Sequence, residues 1–174
     1  MIPKNLRKAR DKNLNHESGL VMPISVLRTE KSSGIGEYLD LIETIDFCKK
    51  LGIGIVQMLP NNDSGLAFEP YNAISAYALN PVYISLENLV DTQINVSSKL
   101  KQKLKNTRKE LNEAERFNFN EIYEFKLKYL RQIFDDNLAY LKQAKDFQNF
   151  NQENKGWLDI FAAFRFFYSQ YKTH

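Results

Sequence analysis

Apolar and polar residues alternate along this chain with two different periods, and the periods divide it into elements. Ile53 to Leu59, IGIVQML, is a short β-branched and apolar run set off by Gly52 and Pro60, which reads as a fully buried strand ending at Leu59. Gly19 to Leu27, GLVMPISVL, is a second run of this kind, interrupted by Pro23, which has no N–H to donate to a ladder. Between them, Glu37 to Leu51 repeats its apolar residues at Leu41, Ile45 and Cys48, with Tyr38 and Ile42 widening the stripe, as one face of a helix requires. Glu37 near its start and Lys49 and Lys50 near its end complement the helix dipole, and Gly52 is placed to close it. Strand, helix, strand over Gly19 to Leu59 predicts a right-handed parallel βαβ unit.

Past Leu59 the pattern breaks. Asn61 to Pro70 consists of turn-formers around one Gly, and Tyr71, Tyr77, Asn80, Pro81 and Tyr83 follow closely. Loops that leave the carboxyl ends of buried parallel strands are where α/β folds place ligands, so a binding surface is expected here. The earlier loop, Arg28 to Gly36, carries SGIG ahead of a helix. A phosphate cradle would need a third Gly or the Lys-Ser/Thr of a P-loop, and the plain reading is a turn that needs φ > 0.

Beyond Leu86 the chain turns helical in character. Lys99, Lys101, Lys103, Lys105, Arg108 and Lys109 form its most basic stretch, read as a solvated helix face with Leu100, Leu104 and Leu111 turned inward. Phe119 to Phe147 reads as one long amphipathic helix through Tyr123, Leu127, Leu130, Phe134, Leu138 and Leu141, without Pro or Gly. A polar link is expected at Gln148 to Lys155, and Gly156 starts a last, strongly aromatic helix from Trp157 to Tyr171. The predicted organisation is a polar, basic lead over 1–18, a strand-bearing part over 19–90 and a helical part over 91–174.

Composition narrows the function classes. With 174 residues, 43% of them hydrophobic and 13% aromatic, the chain has the material for a packed core. A complete (β/α)₈ barrel needs about 200 residues or more, so this chain is too short for one. A net charge of +3 leaves no strong field to steer nucleic acid, and neither nucleic acid nor membrane is expected as a partner. One Cys excludes an internal disulfide, and Cys48 on an apolar stripe reads as a core residue. No apolar run approaches membrane-spanning length and the first residues contain no signal-like apolar stretch, so a cytoplasmic location is expected. His16 and His174 are isolated, so no metal site is predicted, and no cofactor.

The order of several segments resembles one family. GLVMPISVL at Gly19 to Leu27, GIGE at Gly34 to Glu37, the helix EYLDLIETIDFCKKLGI, then QMLPNNDSGL and PYNAISAYALNPVYISL are similar to the amino-terminal part of the 4-α-glucanotransferases. These are the amylomaltases or disproportionating enzymes of glycoside hydrolase family 77. A looser match continues through FNFNEIYEFKLKYL and GWLDIFAAFRFF. The resemblance implies an α/β fold: the first βα units of a TIM (β/α)₈ barrel over 19–90, then a mainly helical insertion over 91–174, with the barrel incomplete in this chain. It also implies transfer of α-1,4-glucan segments between malto-oligosaccharides.

Retaining glycosyl transfer needs two carboxylates about 5 Å apart, a nucleophile and an acid/base. The resemblance places these on later barrel strands, so no catalytic residue is assigned here. Asp63 and Glu69 are the only acids near a strand's carboxyl end. The substrate-binding residues it implies are Tyr71, which matches the ring-stacking Tyr of a Ser-Pro-Tyr motif, Asp63 and Ser64 of the polar turn, and Asn80 of the Asn-Pro turn. Phe68 and Glu69 depart from the pattern, standing where relatives have a small or acidic residue followed by Ser. Two readings remain: the front of a 4-α-glucanotransferase, inactive by itself, or a non-catalytic glucan-binding or protein-interaction module.

Overall fold

A computed structural model describes residues 17–90 and 94–171. The basic lead and both histidines, His16 and His174, lie outside the described residues, apart from positions 17 and 18. The fold is mixed α/β and mainly helical. Strand β1 (Gly19–Met22) pairs in parallel with β2 (Ile55–Met58), Gly19 opposite Ile55 and Met22 opposite Met58. Helix α1 (Asp40–Leu51) connects them. Then come α2 (Leu86–Val90), α3 (Ser98–Glu113), α4 (Phe119–Asp136), α5 (Leu138–Gln143) and α6 (Lys145–Tyr171).

The strands are shorter and far less buried than the sequence predicts. Pro23 stops β1 at Met22, and the chain turns through a 3₁₀ segment, Ile24–Val26, that buries Ile24. Neither strand is a core strand: Val21 is 60% exposed, Ile55 49% and Met58 40%. Among the described residues the sheet has only these two strands, so each keeps an unpaired edge and uncovered faces. Gly36 makes the tight return after β1 possible. Its N–H donates to Ser25 O at 3.1 Å, and a Cβ there would lie 2.0 Å from Ile24 O.

Helix α1 begins at Asp40, three residues later than predicted, because residues ahead of it are drawn into a polar network. Asp40 Oδ2 accepts from the Glu37 N–H at 2.6 Å and from Ser32 Oγ at 2.8 Å, and its Oδ1 accepts from Thr29 Oγ1 at 2.8 Å. Glu37 Oε1 accepts from Ser33 N–H at 3.1 Å and from Lys126 Nζ of α4 at 2.6 Å. The helix ends as predicted at Gly52, in the left-handed region with φ 72°. Of its expected stripe Cys48 is buried, whereas Ile42 and Ile45 are exposed. The SGIG loop is a turn with Gly34 at φ 82°, and the Gly34 N–H donates to Asn112 Oδ1 of α3.

On α3, Leu100, Leu104 and Leu111 face inward as expected. The lysines from Lys99 to Lys109 are exposed, and Arg108 pairs with Glu87. The long helix predicted over Phe119 to Phe147 is instead broken at Asn137 and Ala144. Asn137 ends α4 with its own side chain: Nδ2 donates to Asn95 O and Ile133 O, and Oδ1 accepts from Asn95 N–H, all at 2.8 Å. The buried stripe of α4 is also turned relative to expectation and runs through Ile122, Lys126, Tyr129 and Ile133.

The expected link at Gln148 to Lys155 is helix. Helix α6 runs unbroken through it and through Gly156. Asn151 and Asn154 donate back to the Phe147 and Phe150 carbonyls, so these polar side chains stay on the helix surface. A single Gly in a helix costs only about 1 kcal/mol, which 27 helical residues absorb.

Two apolar clusters hold the fold. One joins Ile24, Ile35 and Val82 to Leu111, Ile122 and Tyr123, and the other joins Leu86 to Leu100, Leu104, Tyr129 and Ile133. Helix α4 contributes to both, so it ties the strand-bearing part to the helical part. No helix among the described residues is long and apolar enough to cross a membrane.

Candidate functional site

The loop that leaves β2 is closed at its base by main-chain bonds. Leu59 N–H still donates to Met22 O of β1, and Asn62 then bridges Leu79 in antiparallel fashion. Asp63 N–H donates to Ala78 O at 2.8 Å, Asn80 N–H donates to Asn61 O at 2.9 Å, and Asp63 O accepts from Ile74 N–H at 2.7 Å. Asp63 is thus the hub of a closed loop over 63–74.

Its side chain shapes the first turn. Oδ1 accepts from Gly65 N–H at 2.9 Å, and Gly65 takes φ 59°, a conformation that glycine adopts without a Cβ clash. Phe68 takes φ 39°, rare for a residue with a side chain and worth about 1–3 kcal/mol of strain. Aromatic packing offsets that strain, because the ring lies 4.4 Å from Phe119 and 5.2 Å from Phe117, centroid to centroid. The bulky residue that departs from the family pattern therefore packs on the start of α4. Glu69 is exposed and accepts from Asn72 Nδ2 at 3.3 Å.

The four predicted site residues separate into one presented side chain and three framework positions. Tyr71, within the 63–74 loop, is 80% exposed. Asp63, Ser64 and Asn80 are 2%, 6% and 2% exposed. Asn80 Oδ1 accepts from Val82 N–H at 3.0 Å and caps the 3₁₀ turn Pro81–Tyr83, while Ser64 O accepts from Ala67 N–H. Asp63 and Glu69 are engaged with different partners, the first in the Gly65 turn and an ion pair, the second with Asn72.

Helix α6 adds residues that sequence reasoning missed. Arg165 Nη1 lies 3.6 Å from Asp63 Oδ2, and its Nη2 donates to the Tyr123 hydroxyl at 3.0 Å. Burial pushes the Tyr123 phenol up, and the Arg165 charge opposes that shift. A signal existed: Arg165 is the only basic residue between Trp157 and Tyr171. Tyr77 stacks on Trp157 at 5.8 Å with an interplanar angle of 18°. Beside that pair, an apolar groove of about 680 Å³ opens between Ile74 to Tyr77 and the α6 residues Trp157, Ile160, Phe161 and Phe164. Among the described residues no group of three or more His, Cys, Asp or Glu is placed to hold a metal.

Comparison with known proteins points the same way as the segment order. The family model described as 4-alpha-glucanotransferase, glycoside hydrolase family 77, matches residues 22–174. A 4-alpha-glucanotransferase of Chlamydia caviae is 37% identical over 149 residues, which cover 84% of this chain and 27% of the relative. That of Chlamydia pneumoniae is 35% identical over 84% of this chain and 28% of its own length. The rice 4-alpha-glucanotransferase DPE2 is 29% identical over 90% of this chain and 17% of its own. The chain thus spans about a quarter of the length of the two chlamydial relatives. A family match that runs from the last residue of β1 through β2, the loop and every described helix carries the conclusion that this chain belongs to the 4-alpha-glucanotransferase family, glycoside hydrolase family 77.

Proposed function

We propose that this chain supplies the glucan-binding amino-terminal part of a 4-α-glucanotransferase, which moves α-1,4-glucan segments between malto-oligosaccharides. The observation that carries the reading is Tyr71, an exposed ring on a loop whose base is locked by buried Asp63 and Asn80 at the carboxyl end of a parallel strand. An aromatic face suits the C–H groups of a pyranose, and a platform that does not move on binding loses little entropy.

On this reading β1 and β2 are the first two strands of a (β/α)₈ barrel, with 19–90 its start and 91–174 a helical insertion, in a cytoplasmic enzyme. The exposed edges and faces of the two strands support it, since further barrel strands would cover them. The carboxylates of the covalent step are assigned to the part of the enzyme beyond the matched quarter.

The test is calorimetric titration of maltoheptaose into the 174-residue protein. Binding is expected, and Tyr71→Ala weakens it by about 1 kcal/mol with an unchanged unfolding midpoint. No binding by the parent, or equal affinity in Tyr71→Ala, refutes the platform.

A further inference from the structure

The loop that presents Tyr71 is fastened to the helical part at one charged point. Asp63 brings a carboxylate to a position where its side chain is 3% exposed, and a buried carboxylate is costly without a countercharge. Arg165 supplies it from α6, 102 residues further along the chain, at 3.6 Å. The other arm of the guanidinium donates to the Tyr123 hydroxyl of α4 at 3.0 Å, so one fork joins loop, α4 and α6. Lys has a single ammonium and does not reproduce that fork. Gly65, at the turn Asp63 shapes, lies against the same group: a Cβ there would meet Arg165 Nη1 at 4.0 Å.

We propose that Arg165 is a positioning residue for glucan binding, which holds Asp63 and through it the 63–74 loop so that Tyr71 stands in one place. This rests on the reading of Tyr71 as the glucan platform. Asp63 links the two ends of the loop, since its carbonyl accepts from Ile74 and its carboxylate from Gly65. Releasing its second oxygen from Arg165 leaves a buried carboxylate without its countercharge, a cost relieved by moving the turn toward water or by taking up a proton, and either change loosens the hold on the turn. Tyr71 then samples several positions, and a sugar must select one of them.

The experiment measures maltoheptaose affinity by calorimetry and amide exchange by mass spectrometry in the 174-residue protein. Arg165→Met is expected to raise Kd about tenfold and to speed exchange across 63–74 with α4 unchanged. Arg165→Lys falls between it and the parent. Adding Asp63→Asn to Arg165→Met removes the orphaned charge and is expected to bring Kd back to within about threefold of the parent, which a purely structural role for Arg165 does not predict. Equal loop exchange in the parent and Arg165→Met overturns the positioning. So does a loss of affinity that Asp63→Asn fails to relieve and that accompanies faster exchange throughout α4 and α6. A parent that binds no maltoheptaose, or binds it unchanged in Tyr71→Ala, overturns the platform reading and the glucan role of Arg165 with it, while the exchange data still decide whether Arg165 holds the loop.

Discussion

Lys126 Nζ lies 2.6 Å from Glu37 Oε1, and the two side chains are 0% and 2% exposed. This pair crosses 89 residues of sequence and fastens α4 to the segment ahead of α1. Burial pushes the Lys126 ammonium down, and the nearby carboxylates of Glu37 and Asp40 pull it back up. A buried pair of this kind adds little over an apolar contact, yet losing one partner strands the other. Lys126→Met alone is therefore expected to cost about 3–5 kcal/mol, read by denaturant unfolding. Lys126→Met with Glu37→Gln is expected to recover more than half of that loss, and equal losses in the single and double variants would refute the coupling.

Tyr38 makes an edge-on contact with Tyr83 at 5.9 Å, and its hydroxyl is buried with no hydrogen-bond partner among the described residues. Burial, reinforced by Tyr83, pushes the phenol up to about 12. Folded Tyr38 thus keeps its proton where the unfolded chain has lost it. Its contribution to stability is whole below about pH 10 and disappears as pH rises through about 12. Unfolding followed from pH 9 to 11.5 is expected to show a shallower loss of stability in Tyr38→Phe than in the parent. The slope does not vanish, because burial also raises Tyr83, Tyr123 and Tyr129. At pH 7 the same substitution is expected to leave stability equal or up to about 1 kcal/mol higher, since it removes an unsatisfied polar atom.

Two glycines are expected to respond in opposite directions. A Cβ at Gly36 meets main chain, Ile24 O at 2.0 Å and Leu27 N at 2.8 Å, so Gly36→Ala is expected to cost about 3 kcal/mol. A Cβ at Gly156 meets nothing within 4 Å inside helix α6, so Gly156→Ala is expected to add about 0.5–1 kcal/mol. Thermal unfolding of the two variants beside the parent checks both signs.

The acids of the loop after β2 are engaged in structure, Asp63 with Gly65 and Arg165 and Glu69 with Asn72. Incubating the purified 174-residue protein with maltotriose is accordingly expected to yield neither glucose nor longer oligomers by chromatography. Turnover that Asp63→Asn or Glu69→Gln abolishes would place the chemistry in this loop.

Features encoded by neighbouring residues were legible in the sequence. Gly52 as the left-handed end of α1, the Leu100, Leu104 and Leu111 face of α3, and the turn-rich loop after β2 each depend on chemistry within a few positions. The segment order over Gly19 to Leu86 was enough to reveal the family. Features that depend on distant partners were not legible. The 3.6-residue period shows that a helix has an apolar face but not which residues its neighbours cover, so α4 buries Lys126 because Glu37 waits 89 positions away. Nor does a polar stretch show whether it is a link or the wet side of a helix. Asn137, whose amide closes on Asn95, breaks the chain where no Pro or Gly stands, and Gln148 to Lys155 continues α6. Sequence likewise marked Tyr71, Asp63, Ser64 and Asn80 as one group. Only the tertiary structure separated the exposed ring from its three buried supports, because burial depends on everything packed around a residue, and Arg165, itself held by Tyr123, reaches Asp63 from a helix that folding alone brings near.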